Sequence, residues 1–128
     1  MRKSYKNIVI NKKNKSRKMC MDVEGGFTGD NGRIISYPCH NGPNQKFHYN
    51  RKTKQLRNKL SQKCIELKNG LLIQNKCNRS KKTQKFYKHK KNWVSCMNKY
   101  KIREIRTLSR CREQDPNVQG DLVVLGDI

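Results

Sequence analysis

At 128 residues the chain has the length of one folded domain, since domains peak at roughly 100 to 150 residues. Hydrophobic residues make up 33% and come in short bursts, which excludes a set of long amphipathic helices and favours short strands around a small core. Lys and Arg outnumber Asp and Glu by 31 to 9, a net charge of +22 spread over nearly the whole length; it points to polyanions (nucleic acid, acidic glycan or anionic membrane) without choosing among them.

Taken in chain order, the β-branched run Ile8, Val9 and Ile10 predicts a first strand, followed by a basic loop from Lys12 to Lys18. Met19 to Val23 predicts a second, with Met19, Met21 and Val23 on one face and Cys20 and Asp22 on the other. Gly25, Gly26, Gly29, Asp30, Asn31 and Gly32 form a long turn region. Ile34 and Ile35 open a strand leading into the run Tyr37-Pro38-Cys39-His40-Asn41-Gly42-Pro43-Asn44-Gln45-Lys46-Phe47, which His48 and Tyr49 close.

After a polar connection from Asn50 to Lys54, the plan repeats with a period of about 40 residues. Gln55 to Leu60 opens the second unit. Cys64-Ile65-Glu66-Leu67 stands where Cys20-Met21-Asp22-Val23 stood, Asn69-Gly70 predicts a hairpin turn, Leu71 to Ile73 leads to Cys77, and Gln84-Lys85-Phe86 closes the unit. In a third unit Trp93, Val94, Cys96, Met97 and Asn98 imitate the opening strand, and Ile102, Ile105 and Leu108 lead to Cys111. Its close is eroded: Gln119 is followed by Gly120 and Asp121, with Leu122 to Leu125 left to supply a final strand. Arg103 to Arg110 has a competing helical composition.

Six cysteines stand at 20, 39, 64, 77, 96 and 111 without any CxxC. No metal cluster or cofactor is expected from that spacing. Three disulfides in an oxidising compartment are, with six reduced thiols in the cytosol as the alternative. The run Ile8 to Ile10 is too short for a signal-peptide core or a membrane span. The expected location is therefore secreted or cell-surface if a leader was removed, and intracellular otherwise.

Three units of several short strands each predict an all-β fold, a β-trefoil with pseudo-threefold symmetry filling residues 1–128, its repeats near 5–50, 51–90 and 91–128. The Cys-x-Asp opening, the Cys-His-Asn-Gly-Pro-Asn-Gln-Lys-Phe run and its second copy resemble the ricin B-type lectin family. Within it they are most similar to the lectin domains attached to polypeptide N-acetylgalactosaminyltransferases. Phe47 and Phe86 replace that family's usual tryptophan. The resemblance implies one disulfide within each repeat, Cys20 with Cys39, Cys64 with Cys77 and Cys96 with Cys111. It also implies a galactose or N-acetylgalactosamine site.

A sugar of that type offers adjacent hydroxyls to a carboxylate and an apolar ring face to an aromatic side chain. The first unit has Asp22 as the carboxylate, Tyr37 as the aromatic, and His40 and Asn44 as further polar contacts, with Gln45 bracing Asp22 or the turn and Phe47 in the core. The corresponding positions are Glu66, Asn75, Asn78 and Thr83 in the second unit and Asn98, Ser109, Arg112 and Val118 in the third, so one site of this kind is expected rather than three. The basic residues Lys12, Lys13, Lys15, Arg17, Lys18, Arg79, Lys81, Lys82, Lys85, Lys88, Lys90 and Lys91 would extend it toward sulfated or sialylated glycans and glycoproteins, bound by a monomer. The rival reading is an intracellular RNA- or ribosome-associated protein, in which Tyr5, Tyr49, Tyr87, Trp93 and Tyr100 stack bases between the basic runs. An enzyme is not expected, since no nucleophile motif, carboxylate pair, phosphate loop or metal-ligand cluster stands out.

Overall fold

The structure is a computed structural model and describes residues 3–10, 18–89 and 92–96. Ten strands are present among them: β1 (Lys6–Asn7), β2 (Val9–Ile10), β3 (Met19–Val23), β4 (Gly32–Pro38), β5 (Lys46–Asn50), β6 (Gln55–Asn58), β7 (Cys64–Lys68), β8 (Leu71–Asn75), β9 (Phe86–His89) and β10 (Asn92–Ser95). The first eight form one sheet in the order β1-β5-β6-β7-β8-β4-β3-β2, and β9 pairs with β10. Three 3-10 turns and no α-helix complete the described residues. This is the all-β trefoil plan, with third-unit positions from Met97 onward outside the described residues.

The run expected as one strand from Ile8 to Ile10 is divided. Lys6–Asn7 pairs with β5, whereas Val9–Ile10 pairs with β3. The chain changes partners at Ile8, whose carbonyl accepts a hydrogen bond from the Met21 N–H at 2.9 Å. Periodicity reads the β-branched content correctly and cannot see that two different strands compete for it.

The repeat shows as a shared register. In the β3–β4 hairpin Cys20 faces Tyr37 and Asp22 faces Ile35; in the β7–β8 hairpin Cys64 faces Asn75 and Glu66 faces Ile73. A 3-10 turn follows each hairpin, Pro43–Gln45 in the first and Lys82–Gln84 in the second. The β7–β8 turn places Asn69 at φ 52° and Gly70 at φ 78°, the left-handed pair that a tight hairpin requires.

Met21, Val23, Ile34, Phe47, Leu56, Ile65, Leu72 and Phe86 bury into one core with Ile10. Phe47 and Phe86 thus fill the interior where the family resemblance would put tryptophan. Disulfides join Cys20 to Cys39 and Cys64 to Cys77, with Cα atoms 5.0 and 4.9 Å apart. Each ties a hairpin to the turn beyond it and contributes up to about 3 kcal/mol in the chain-entropy model. Cys96 is also disulfide-bonded; its expected partner, Cys111, lies outside the described residues.

Candidate functional site

Tyr37 and Asp22 reach the same face of the β3–β4 hairpin. Tyr37 lies directly across from Cys20, and Asp22 is two residues further along β3; residues two apart on a strand share a face, and diagonal cross-strand neighbours can touch. Tyr37 is 49% exposed and Asp22 only 3%. A carboxylate buried that deeply is costly unless its oxygens are bonded. The Asn44 side chain donates to Asp22 Oδ1 at 3.2 Å and to the Val23 carbonyl at 3.1 Å, while Gln45 donates to Asp22 Oδ2 at 2.8 Å.

His40 closes the other side. The Gly42 N–H donates to His40 Nδ1 at 2.9 Å, so the ring proton sits on Nε2, 3.5 Å from Asp22 Oδ2. The Tyr37 and His40 rings meet edge to face with centroids 6.1 Å apart. Gly42 is required by close approach rather than by its backbone angle: a Cβ there would lie 2.7 Å from His40 Cε1. The result is an acid floor with an aromatic wall and an imidazole wall.

Gln45 is fully buried, and every hydrogen-bonding position of its amide is used. Besides Asp22 it donates to the Pro38 carbonyl at 3.0 Å, and its Oε1 accepts from the His40 N–H at 2.8 Å and from Asn7 at 3.4 Å. One side chain therefore fixes the carboxylate, the disulfide loop and the start of the histidine turn together.

Two supporting residues escaped the sequence reading. Asn7, in β1, donates to the His40 carbonyl at 3.2 Å as well as to Gln45, and itself accepts from Lys46 Nζ. Asn58, at the end of β6, donates to the Asn44 carbonyl at 3.0 Å, and its own oxygen accepts from the Leu60 and Ser61 N–H groups. Both are distant in sequence and of an ordinary polar type, so no local pattern marks them.

The second repeat reproduces the brace but not the opening. Gln84 donates to Glu66 Oε1 at 3.0 Å, as Gln45 does to Asp22. Asn75 takes the place of Tyr37, and Lys81 Nζ lies 3.2 Å from Glu66 Oε1. Burial pushes the Glu66 carboxyl up, but the hydrogen bonds from Gln84, Lys81 and Asn75 and the Lys81 charge outweigh it and hold the group below the usual glutamate value. Here the acid is satisfied by the chain's own lysine.

Lys18, Arg79, Lys82 and Lys88 are exposed, Lys81 is committed to Glu66, and Lys12, Lys13, Lys15, Arg17, Lys90 and Lys91 lie outside the described residues. Lys85, counted as surface charge from sequence, is instead buried, with Nζ donating to the Thr53 carbonyl at 3.1 Å. Among the described residues no group of His, Cys, Asp and Glu could hold a metal ion, and no helix is long and apolar enough to cross a membrane.

Comparison with known proteins adds a frame to this geometry. No curated protein sequence matches significantly. Among solved structures, the β-trefoil lectin of the Vibrio vulnificus hemolysin/cytolysin, with N-acetyl-D-lactosamine bound, matches at TM-score 0.59 and 21% identity over 72% of this chain and 69% of that one. The C-half of an earthworm R-type lectin, in complex with GalNAc, matches at TM-score 0.55 and 16% identity over 62% of each chain. The hemolytic lectin CEL-III matches at TM-score 0.59 and 17% identity over 95% of this chain but 27% of its own. At these identities the likeness shows a shared fold. The family model described as the ricin-type beta-trefoil lectin domain matches residues 5–86, more than half of the chain, and the protein belongs to that family.

Proposed function

We propose that the chain is a carbohydrate-binding protein that recognises galactose or N-acetylgalactosamine-type sugars through one site, in the first repeat. The observation that carries this reading is the buried Asp22 carboxylate, held by Asn44 and Gln45 beside the half-exposed Tyr37 ring. A carboxylate has about four acceptor positions; Asn44, Gln45 and the His40 Nε2 group stand at three of them, which leaves one for a sugar hydroxyl. Tyr37 offers a face for the apolar side of the ring, and Asn44 Oδ1 a further acceptor. The role is binding rather than catalysis. The finer kinship to the transferase-attached lectin domains rests on the first-repeat motif alone.

A single shallow site of this kind binds at about millimolar strength, about −4 kcal/mol. The net charge of +22 favours acidic glycans, sulfated or sialylated, over neutral ones. The Cys20–Cys39 and Cys64–Cys77 bridges fit a secreted or cell-surface monomer, and non-reducing mass spectrometry of native protein checks this by counting free thiols. For the ligand, free N-acetylgalactosamine is expected to release the protein from an N-acetylgalactosamine matrix, and Asp22→Ala to abolish retention while the protein stays folded. Tight, salt-sensitive RNA binding that ignores Asp22→Ala, with no retention of the wild type on the matrix, would overturn the reading.

A further inference from the structure

A second concavity lies away from Asp22, between the β9–β10 ribbon and the edge formed by β1 and β5. Its volume is about 820 Å³, within the roughly 300 to 1,000 Å³ usual for small-ligand sites. The buried side chains of Phe47 and Leu56 line its apolar floor. Trp93 forms a wall, packed against Tyr49 with ring centroids 4.5 Å apart at 59°. Lys88, the register partner of Trp93 across the ribbon, places Nζ 6.0 Å from the centre of the indole.

Lys6, Arg51 and Lys54 complete the lining with positive charge. Three ion pairs of lysine or arginine form among the described residues, and their cations are Arg33, Lys63 and Lys81. Lys6, Arg51 and Lys54 belong to none of them. The cavity therefore joins an aromatic wall, an apolar floor and cations that no described carboxylate neutralises. His48 adds a polar group to the lining, its Nδ1 donating to the Ser4 carbonyl at 2.9 Å.

We infer that this cavity is a binding site for an anionic saccharide, one sugar unit bearing a sulfate group. The indole and floor take the C–H face of the ring, and Arg51, Lys54 and Lys6 take the anionic group, where charge-assisted hydrogen bonds are strongest. A polynucleotide is the poorer fit, because it needs a groove carrying successive phosphates past several stacking platforms. Here the rings of Tyr49, Tyr87 and Trp93 line one bowl. The inference stands apart from the first-repeat site, since neither Asp22 nor Tyr37 lines this cavity.

The chain has a single tryptophan, so its emission reports on this cavity alone. Titration of the full chain with chondroitin 4-sulfate disaccharide is expected to change that emission saturably, with the desulfated disaccharide about tenfold weaker. Arg51→Gln combined with Lys54→Gln is expected to weaken the sulfated ligand about tenfold at unchanged circular dichroism, while Asp22→Ala leaves the response intact. Saturation-transfer NMR on the ligand gives a second readout that does not depend on the indole. An absence of response by both methods at about 10 mM ligand, equal affinity with and without sulfate, or wild-type binding by the double variant overturns the proposal. So does displacement of the disaccharide by uridine monophosphate at lower concentration, which would make the cavity a nucleotide site.

Discussion

The first and second repeats begin from the same hairpin register and the same buried acid, and they end as opposite chemical objects. In the first, Asp22 is braced by Gln45 and left beside an exposed tyrosine. In the second, Glu66 is braced by Gln84 and capped by Lys81. The brace recurs because a buried carboxylate in this hairpin needs a partner whatever its use. What differs is the position two residues before the second cysteine and the turn beyond it, where Tyr37 and His40 give way to Asn75 and Asn78 and Lys81 stands in place of Gly42.

The comparison is broken most severely through the brace itself. Gln45→Ala and Gln84→Ala each strand a buried carboxylate and a backbone N–H, and both are expected to cost about 2 to 4 kcal/mol in urea unfolding. Only the first should also abolish sugar retention. Tyr37→Ala is expected to lower affinity for N-acetylgalactosamine about tenfold while stability stays within about 0.5 kcal/mol, because the ring is half exposed. The reverse experiment sharpens the contrast: Asn75→Tyr with Lys81→Ala gives the second repeat an aromatic and an uncapped acid, and calorimetry should show the sugar stoichiometry rising from one toward two.

A smaller change tests the turn. Gly42→Ala pushes a methyl group against the His40 ring, and binding is expected to fall about threefold to tenfold with the fold retained. The smallest effect is in pH. Glu66 is harder to protonate in the folded chain than in the unfolded one, so its contribution is complete above the unfolded value of about pH 4.5 and is lost as pH falls through the lower folded value. Thermal midpoints across this acid range should drop less steeply in Lys81→Ala, which has less of that contribution to lose.

Spacing was enough to reveal the hairpins, because Cys20 to Val23 and Cys64 to Leu67 carry their half-cystines and acids at matching intervals. The set of Asp22, Tyr37, His40, Asn44 and Gln45 was legible from the family resemblance and from what a galactose-type sugar needs, and the structure brings its five members together. Lys81 and Lys85 were not. A lysine in a run of lysines reads as solvated charge, and only the folded chain shows one reaching a buried glutamate and another a buried carbonyl. Asn7 and Asn58 stayed hidden because their partners, His40 and Asn44, lie in the turn region between β4 and β5, far from them in sequence.

Asn58 makes the first site depend on material outside its own repeat. Its side chain carries the Asn44 carbonyl on one end and the turn at Leu60 and Ser61 on the other, so the sugar-facing asparagine is held in place by the opening strand of the next unit. A peptide cut out as residues 18–50 would retain every residue proposed to contact ligand and lose the scaffold that orients one of them. Transplanting this site into another protein therefore requires the neighbouring strand to travel with it.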